Sequence, residues 1–283
     1  MTPPLTHPDA VSNAAPDVLI LGAGAAGLIC ALTAARRGRT ALLIDHLARP
    51  GRKLRIAGGG RCNFTNLDMH AGRYSCPNPH FPKSALARFA PQDAIALIEE
   101  FQLPWEERDQ GKLFLRCGAD RLADGLLDAC AAANVRFAFG APVLDVEGGT
   151  AFRIRTGAGE FTAPRLVLAL GGPSWKGSGG TDLAWKLARR FGLPAAPPRP
   201  ALVPLAWNGA HGFIPAELTG LSLTVALHVP GPKGPVRILD ELLLTHHGLS
   251  GPAALRASLH WDGASPLACD FLPGEQVGDV LAA

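Results

Sequence analysis

The chain has 283 residues, 47% of them hydrophobic and 18% charged, with a formal net charge of +3. This composition excludes an intrinsically disordered chain and allows one large domain or two ordinary ones. So small a charge is no argument for nucleic acid, which would need basic residues gathered on one face.

Residues 1–16, MTPPLTHPDAVSNAAP, lack the basic head and apolar run of a signal peptide, so a disordered tail is expected. The cysteines Cys30, Cys62, Cys76, Cys117, Cys130 and Cys269 form no Cys-x-x-Cys pair and no zinc spacing. They read as reduced thiols in a cytoplasmic protein without a metal. Val18–Ala35 carries no charge, as a membrane span would. Its glycines fall at a nucleotide-loop spacing, however, and an apolar strand, turn and buried helix give the same run. No membrane span is expected.

Asp17–Leu21 predicts a β-strand, followed at once by G-x-G-x-x-G at Gly22, Gly24 and Gly27 and by a helix to about Arg37. Gly22 permits the tight turn, Gly24 lets a pyrophosphate approach the backbone, and Gly27 lets helix and strand pack closely. The amides opening the helix, around Ala25 and Ala26, face the phosphates. Gly38 stops the helix, and a second strand, Thr40–Ile44, leads to Asp45, 18 residues after Gly27. An acid there accepts hydrogen bonds from ribose hydroxyls. FAD and NAD both satisfy this pattern.

Arg49, Arg52, Lys53, Arg55 and Arg61 then cluster around Gly58, Gly59 and Gly60. Directly after a dinucleotide fingerprint, this reads as backbone amides and cations offered to a phosphate. GRKLRIAGGGRCNFTN resembles the signature of the bacterial YhiN/BaiN-like flavoproteins, also called the aminoacetone oxidase family, with Ala57 in place of a serine. The resemblance implies FAD as cofactor and adds Lys53, Gly59, Gly60, Arg61 and Asn63 to the cofactor residues.

Tyr74–Leu115 reads as a helical excursion. Pro91 opens a helix, Pro104 closes it, and WEERDQGKLF makes two short strands around a turn. Leu115 replaces the proline of the family's GRxFP. Asp120–Ala133 predicts a helix with Leu122, Leu126 and Cys130 as its core stripe, and Val135–Phe139 a third parallel strand. Ala141–Glu147, Ala151–Thr156 and Glu160–Ala163 read as a meander. By resemblance, the Val143 backbone meets the adenine. Leu166–Leu170 predicts a strand ending at Gly171-Gly172, and a helix follows with Thr181 as its N-cap and Gly192 as its stop. The match to the family's ATGG-SYP segment places Ala169, Gly171 and Gly172 at the cofactor, although Leu170, Trp175 and Lys176 depart from it. A returning glycine-ended strand favours FAD over NAD.

Pro194–Pro200 marks a domain boundary. Beyond it Ala201–Trp207, Ser222–Val229 and Val236–Leu244 read as strands, and THHGLSGPAAL resembles a loop of the family's inserted domain. His246 and His247 are read as solvated or structural, and no catalytic residue is identified.

The expected fold is therefore α/β: a glutathione-reductase-type doubly wound FAD-binding domain over residues 17–198, with a partial β-rich inserted domain over 199–283. The family's chain continues further, so the fold is expected to be incomplete. The expected function is an FAD-dependent oxidoreductase moving a hydride between flavin and a small-molecule substrate, with NAD(P)H as a candidate reductant and no nucleic-acid or membrane partner. A truncated non-catalytic dinucleotide-binding remnant and an NAD-dependent dehydrogenase stand as alternatives, and the oligomeric state stays open.

Overall fold

A computed structural model describes residues 14–76, 78–174, 177, 179–206, 215–231 and 234–274. The rest of the predicted tail, and Trp175, Lys176 and Trp207, lie outside the described residues. The chain divides into two compact units, which part between Pro198 and Arg199.

The first unit runs β1 (Val18–Leu21), α1 (Ala25–Arg36), β2 (Ala41–Ile44), α2 (Arg52–Arg55), β3 (Asn63–Asn66), α3 (Lys83–Arg88), α4 (Pro91–Glu100), β4 (Trp105–Arg108), β5 (Lys112–Leu115) and α5 (Ala119–Ala132). It continues through β6 (Arg136–Ala138), β7 (Val143–Glu147), β8 (Phe152–Thr156), β9 (Gly159–Ala163), β10 (Leu166–Leu168) and α6 (Leu183–Arg190). A parallel sheet forms in the order β10-β1-β2-β6, as a doubly wound fold requires.

Every residue of β1 and β2 is buried, because the sheet is covered on both faces. Ile20 and Leu43 turn toward Leu28 and Leu32 of α1 and Leu122 and Leu126 of α5. Leu19, Leu21, Leu42 and Ile44 turn the other way, onto Val146 and Ile154 of the meander and Leu187 of α6. Each such side chain contributes about 1.5–3 kcal/mol, so the charge-free run that resembled a membrane span is explained by two-sided burial. Among the described residues, no helix is long and apolar enough to cross a membrane.

The strands β7, β8 and β9 form the expected antiparallel meander. Pro91 sits in the first turn of α4, and the Asp93 carboxylate accepts from the Ala90 amide at 2.7 Å. The expected Thr181 cap is not formed. Asp182 takes the N-cap position of α6, and Thr181 Oγ1 reaches only the Leu183 amide, at 3.4 Å. The strand predicted over Leu166–Leu170 ends at Leu168, although the Ala169 amide still donates to Leu21 O at 2.8 Å.

Asp145 on β7 accepts from Arg190 of α6 at 2.9 Å and from Arg155 of β8 at 3.2 Å. The Arg190 bond, then the Val146 amide and Arg155, hold its carboxyl down at about 2. A carboxyl held below its unfolded value stabilises the fold above that value and ceases to do so as pH falls through the folded one. Stability should therefore decline from about pH 4 through about pH 2. Asp145→Asn should flatten that part of a urea-midpoint-against-pH curve; an unchanged slope would remove Asp145 from the account.

The second unit contains β11 (Leu205–Ala206), β12 (Ser222–Val229), β13 (Val236–Thr245), β14 (Gly248–Ser250), α7 (Gly251–Ala257) and β15 (Ala268–Asp270). Its strands pair antiparallel in the order β11-β14-β13-β12-β15. Val225, Leu227, Ile238 and Leu242 bury against Ala253, Ala254 and Ala257 of α7. The strand predicted over Ala201–Trp207 is reduced to Leu205–Ala206, because the Val203 amide turns to Ser258 Oγ, at 3.1 Å, instead of to a strand.

Candidate functional site

The fingerprint lies at the carboxyl end of β1. Gly22 has φ +102°, and a Cβ there would stand 2.4 Å from the Ala169 carbonyl oxygen. A Cβ on Gly27 would come within 1.8 Å of Gly22 O. Both glycines are thus required by the packing of loop, helix and β10. Gly24, the residue before α1, has φ −79° and open space around its missing side chain. Ala25 and Ala26 are exposed and no acidic residue occupies the first turn, so the positive end of a 12-residue helix opens outward.

Asp45 is 8% exposed. Its Oδ2 accepts from the Ala23 amide at 2.7 Å and its Oδ1 from the Leu47 amide at 2.8 Å. The carboxylate therefore ties the fingerprint loop to the end of β2. A carboxylate has about four acceptor positions; His46 Nδ1 stands 3.4 Å from Oδ1, which leaves the second position of Oδ2 for another donor. Asp45→Ala should cost about 2–4 kcal/mol, because two charge-assisted bonds are lost and the Ala23 amide stays buried. Urea unfolding measures this, and a loss below about 1 kcal/mol would show that the loop holds without the acid.

The basic cluster is more divided than its composition implied. Arg55, with a side chain 9% exposed, donates to Asp120 at 2.6 Å and to Asp124 at 2.7 Å, fastening α2 to α5. Arg49 also donates to Asp120, at 3.0 Å. The Arg55 bond is the main reason that the Asp120 carboxyl lies below its ordinary range. These two arginines are thus neutralised by carboxylates instead of being offered to a phosphate. Lys53 is placed otherwise: its Nζ donates to Gly172 O and Ser174 Oγ, both at 2.8 Å, across 119 residues of chain to Gly172.

Gly58, Gly59 and Gly60 all have positive φ, at +58°, +67° and +83°. A Cβ on Gly58 would meet the Asn63 amide at 2.7 Å, whereas Gly59 and Gly60 have open space. Gly60 O accepts from the Ala119 amide at 2.8 Å. Arg61 is exposed, and the Asn63 carboxamide, with its amide assigned so that its hydrogen bonds are satisfied, donates to Thr65 O at 3.0 Å and Leu113 O at 3.1 Å. Burial, then the nearby Cys117, pushes the Cys62 thiol up to about 11, so it is not a nucleophile at neutral pH.

The fold thus brings Gly22, Gly24, Ala25, Ala26, Gly27, Asp45 and Ala169 to one end of the parallel sheet, and ties Lys53 to Gly172. Gly171 precedes that carbonyl with φ +70°. Val143 opens the meander, half-buried and packed in the cluster behind β1. A cavity of about 460 Å³ adjoins Gly171 and Gly172, with Pro173, Trp185 and Leu193 in its wall. Sequence reasoning missed Asp120 and Asp124 as partners of Arg55; their only signal was an i,i+4 acidic spacing on the α5 helix. The His246 and His247 rings lie 3.9 Å apart, tilted 45° to each other, in the turn between β13 and β14. No cluster that could hold a metal occurs among the described residues.

Glycine loop, open helix end and anchored acid on a doubly wound sheet define a dinucleotide-binding fold. The HI0933-like protein Rossmann domain family matches residues 16–255, and the chain belongs to that family. It is 40% identical over 258 residues to a ribosomal RNA dihydrouridine synthase of Escherichia coli, covering 91% of this chain and 64% of that protein. A 3-dehydro-bile acid delta(4,6)-reductase of Clostridium scindens is 28% identical over 274 residues, covering 93% of this chain and 66% of that protein. The chain thus spans about two thirds of the length of these relatives. Among solved structures, a glycine oxidase from Geobacillus kaustophilus is 17% identical, with a TM-score of 0.43 over 77% of this chain and 63% of that one.

Proposed function

We propose that this chain is the FAD-holding part of an oxidoreductase that reduces a carbon–carbon double bond conjugated to a carbonyl. One observation carries the FAD site: the exposed amino end of α1 beside a Gly24 with empty space where a side chain would be. A dinucleotide pyrophosphate needs that combination of free amides and close backbone approach. Asp45 would accept from the ribose with the second acceptor position of Oδ2. Gly59, Gly60, Arg61 and Asn63 would line the flavin side together with Gly171 and Gly172, while Lys53 holds the last of these in place. The Val143 backbone would meet the adenine.

FAD, when bound, supplies the two-electron chemistry, and the protein supplies binding, orientation and exclusion of water. The substrate class is supported by the relatives. Making dihydrouridine and reducing a 3-keto-Δ4,6 system both saturate a double bond conjugated to a carbonyl. The two substrates differ in size, one a base within ribosomal RNA and the other a small steroid acid. NAD(P)H is the proposed reductant.

Purification should give a yellow protein or one that FAD reconstitutes, and anaerobic NAD(P)H should bleach it. The reduced chain should then be reoxidised by a 3-keto-Δ4,6 bile acid or by uridine-containing ribosomal RNA; whichever succeeds assigns the substrate. A colourless chain that FAD does not reconstitute overturns the reading, and stoichiometric NAD binding without flavin would make it a dehydrogenase instead.

A further inference from the structure

The strands β3, β5 and β4 form a separate antiparallel sheet with β5 in the middle. Leu113 and Leu115 of β5 are buried, so the alternation of a strand turns Lys112 and Phe114 to the other face. Cross-strand partners share a face, which adds Glu106 opposite Phe114 and Arg108 opposite Lys112. The guanidinium of Arg108 lies 4.9 Å from the centre of the Phe114 ring, and that of Arg61 lies 5.9 Å from it. Arg116, the residue after β5, reaches Glu106 at 3.2 Å. Glu106 is the carboxylate that the β4–β5 pairing puts on this face, and Arg108 also binds it, at 2.6 Å. Four cations thus meet one carboxylate around one half-exposed aromatic ring. That is the gathering of basic residues on one face that the near-neutral whole chain concealed.

We propose that this sheet face binds single-stranded RNA, with Arg108, Lys112 and Arg116 as phosphate contacts and Phe114 as a stacking platform for a base that displaces the Arg108 guanidinium from over its ring. This rests on the ribosomal-RNA form of the function proposed above. Unpaired nucleotides suit the face because their bases expose a ring surface for stacking, which a duplex hides. An acidic protein would meet the charge but leave the ring unused. The platform also adjoins the proposed cofactor segment: the Cβ position of Gly58 is 3.0 Å from Phe114 Cε1. A strand held here would lie beside the glycine triplet.

The test is fluorescence anisotropy of the full chain with a labelled uridine-containing oligoribonucleotide of roughly 12 nucleotides. Phe114→Leu should weaken binding about tenfold with an unchanged salt slope, as a stacking contact does. Lys112→Gln and Arg116→Gln should each weaken it at low salt and reduce the slope of log K against log salt by about 0.7. Arg37→Gln, just after α1, should change nothing, and a thermal melt of each variant separates lost binding from lost fold. The proposal is overturned if the chain does not bind the oligonucleotide at low salt, if Arg37→Gln weakens binding equally, or if duplex RNA or polyglutamate binds as tightly. A flavin-containing chain with a flat variant series would refute this inference alone. A colourless chain with the graded series would uphold it and remove the flavin reading.

Discussion

Gly27→Ala is expected to lower the stability of the first unit by more than about 3 kcal/mol and to abolish flavin content with it. The added methyl would stand 1.8 Å from Gly22 O, a backbone atom of the loop that α1 must pack against. Nothing flexible is available to yield, so helix and strand would have to part. That separation would open the cluster in which Ile20 and Leu43 meet Leu28 and Leu32. Gly22→Ala should behave similarly for a different reason. Its φ of +102° is strained for any side chain, and its methyl would meet the Ala169 carbonyl at 2.4 Å, just after the neighbouring strand β10. Since domains hold only about 5–15 kcal/mol of net stability, either change should show as a large fall in urea midpoint. A variant with unchanged midpoint and flavin content would mean that the loop packs differently from this structure.

What was legible in the sequence is what short-range chemistry dictates. β1 and β2 were readable as continuous apolar runs because both faces are covered, and the glycines between β1 and α1 are demanded by backbone geometry alone. The meander was readable because alternation and turn residues coincide. What was not legible depends on partners far along the chain. Arg55 looked like one of five phosphate cations, but Asp120 and Asp124 lie more than sixty residues away and claim it. Lys53 looked the same, yet it binds Gly172 O, which returns only with β10. The face around Phe114 was hidden for the same reason. Arg61, Arg108, Lys112 and Arg116 are dispersed among neutral and acidic neighbours, and only the pairing of β4 with β5, with Arg61 leaning on the Phe114 ring, assembles them. Thr181 illustrates the converse, a good capping residue one position before the N-cap that α6 uses.

Gly24→Ala separates the fold from the proposed function. Its backbone is extended, with φ −79° and ψ −175°, which alanine adopts freely, and a Cβ would have nothing within 4 Å. Stability should therefore change by less than about 1 kcal/mol, the modest cost of an alanine rather than a glycine at an N-cap. The same open space is where the proposed pyrophosphate must approach the amides of Ala25 and Ala26. A methyl group there would hold the phosphates off and weaken two charge-assisted bonds, each worth about 1.5–3 kcal/mol. Loss of FAD affinity should be about 100-fold or more, or roughly 2.7 kcal/mol. Flavin fluorescence on titration measures it, and urea unfolding of the same preparation supplies the control. The contrast with Gly27 is the informative part: two glycines of one motif, three residues apart, where one change removes the fold and the other only the ligand. If Gly24→Ala retains FAD at the parent affinity, the pyrophosphate does not lie on the amino end of α1, and the assignment of this motif to FAD fails at its centre.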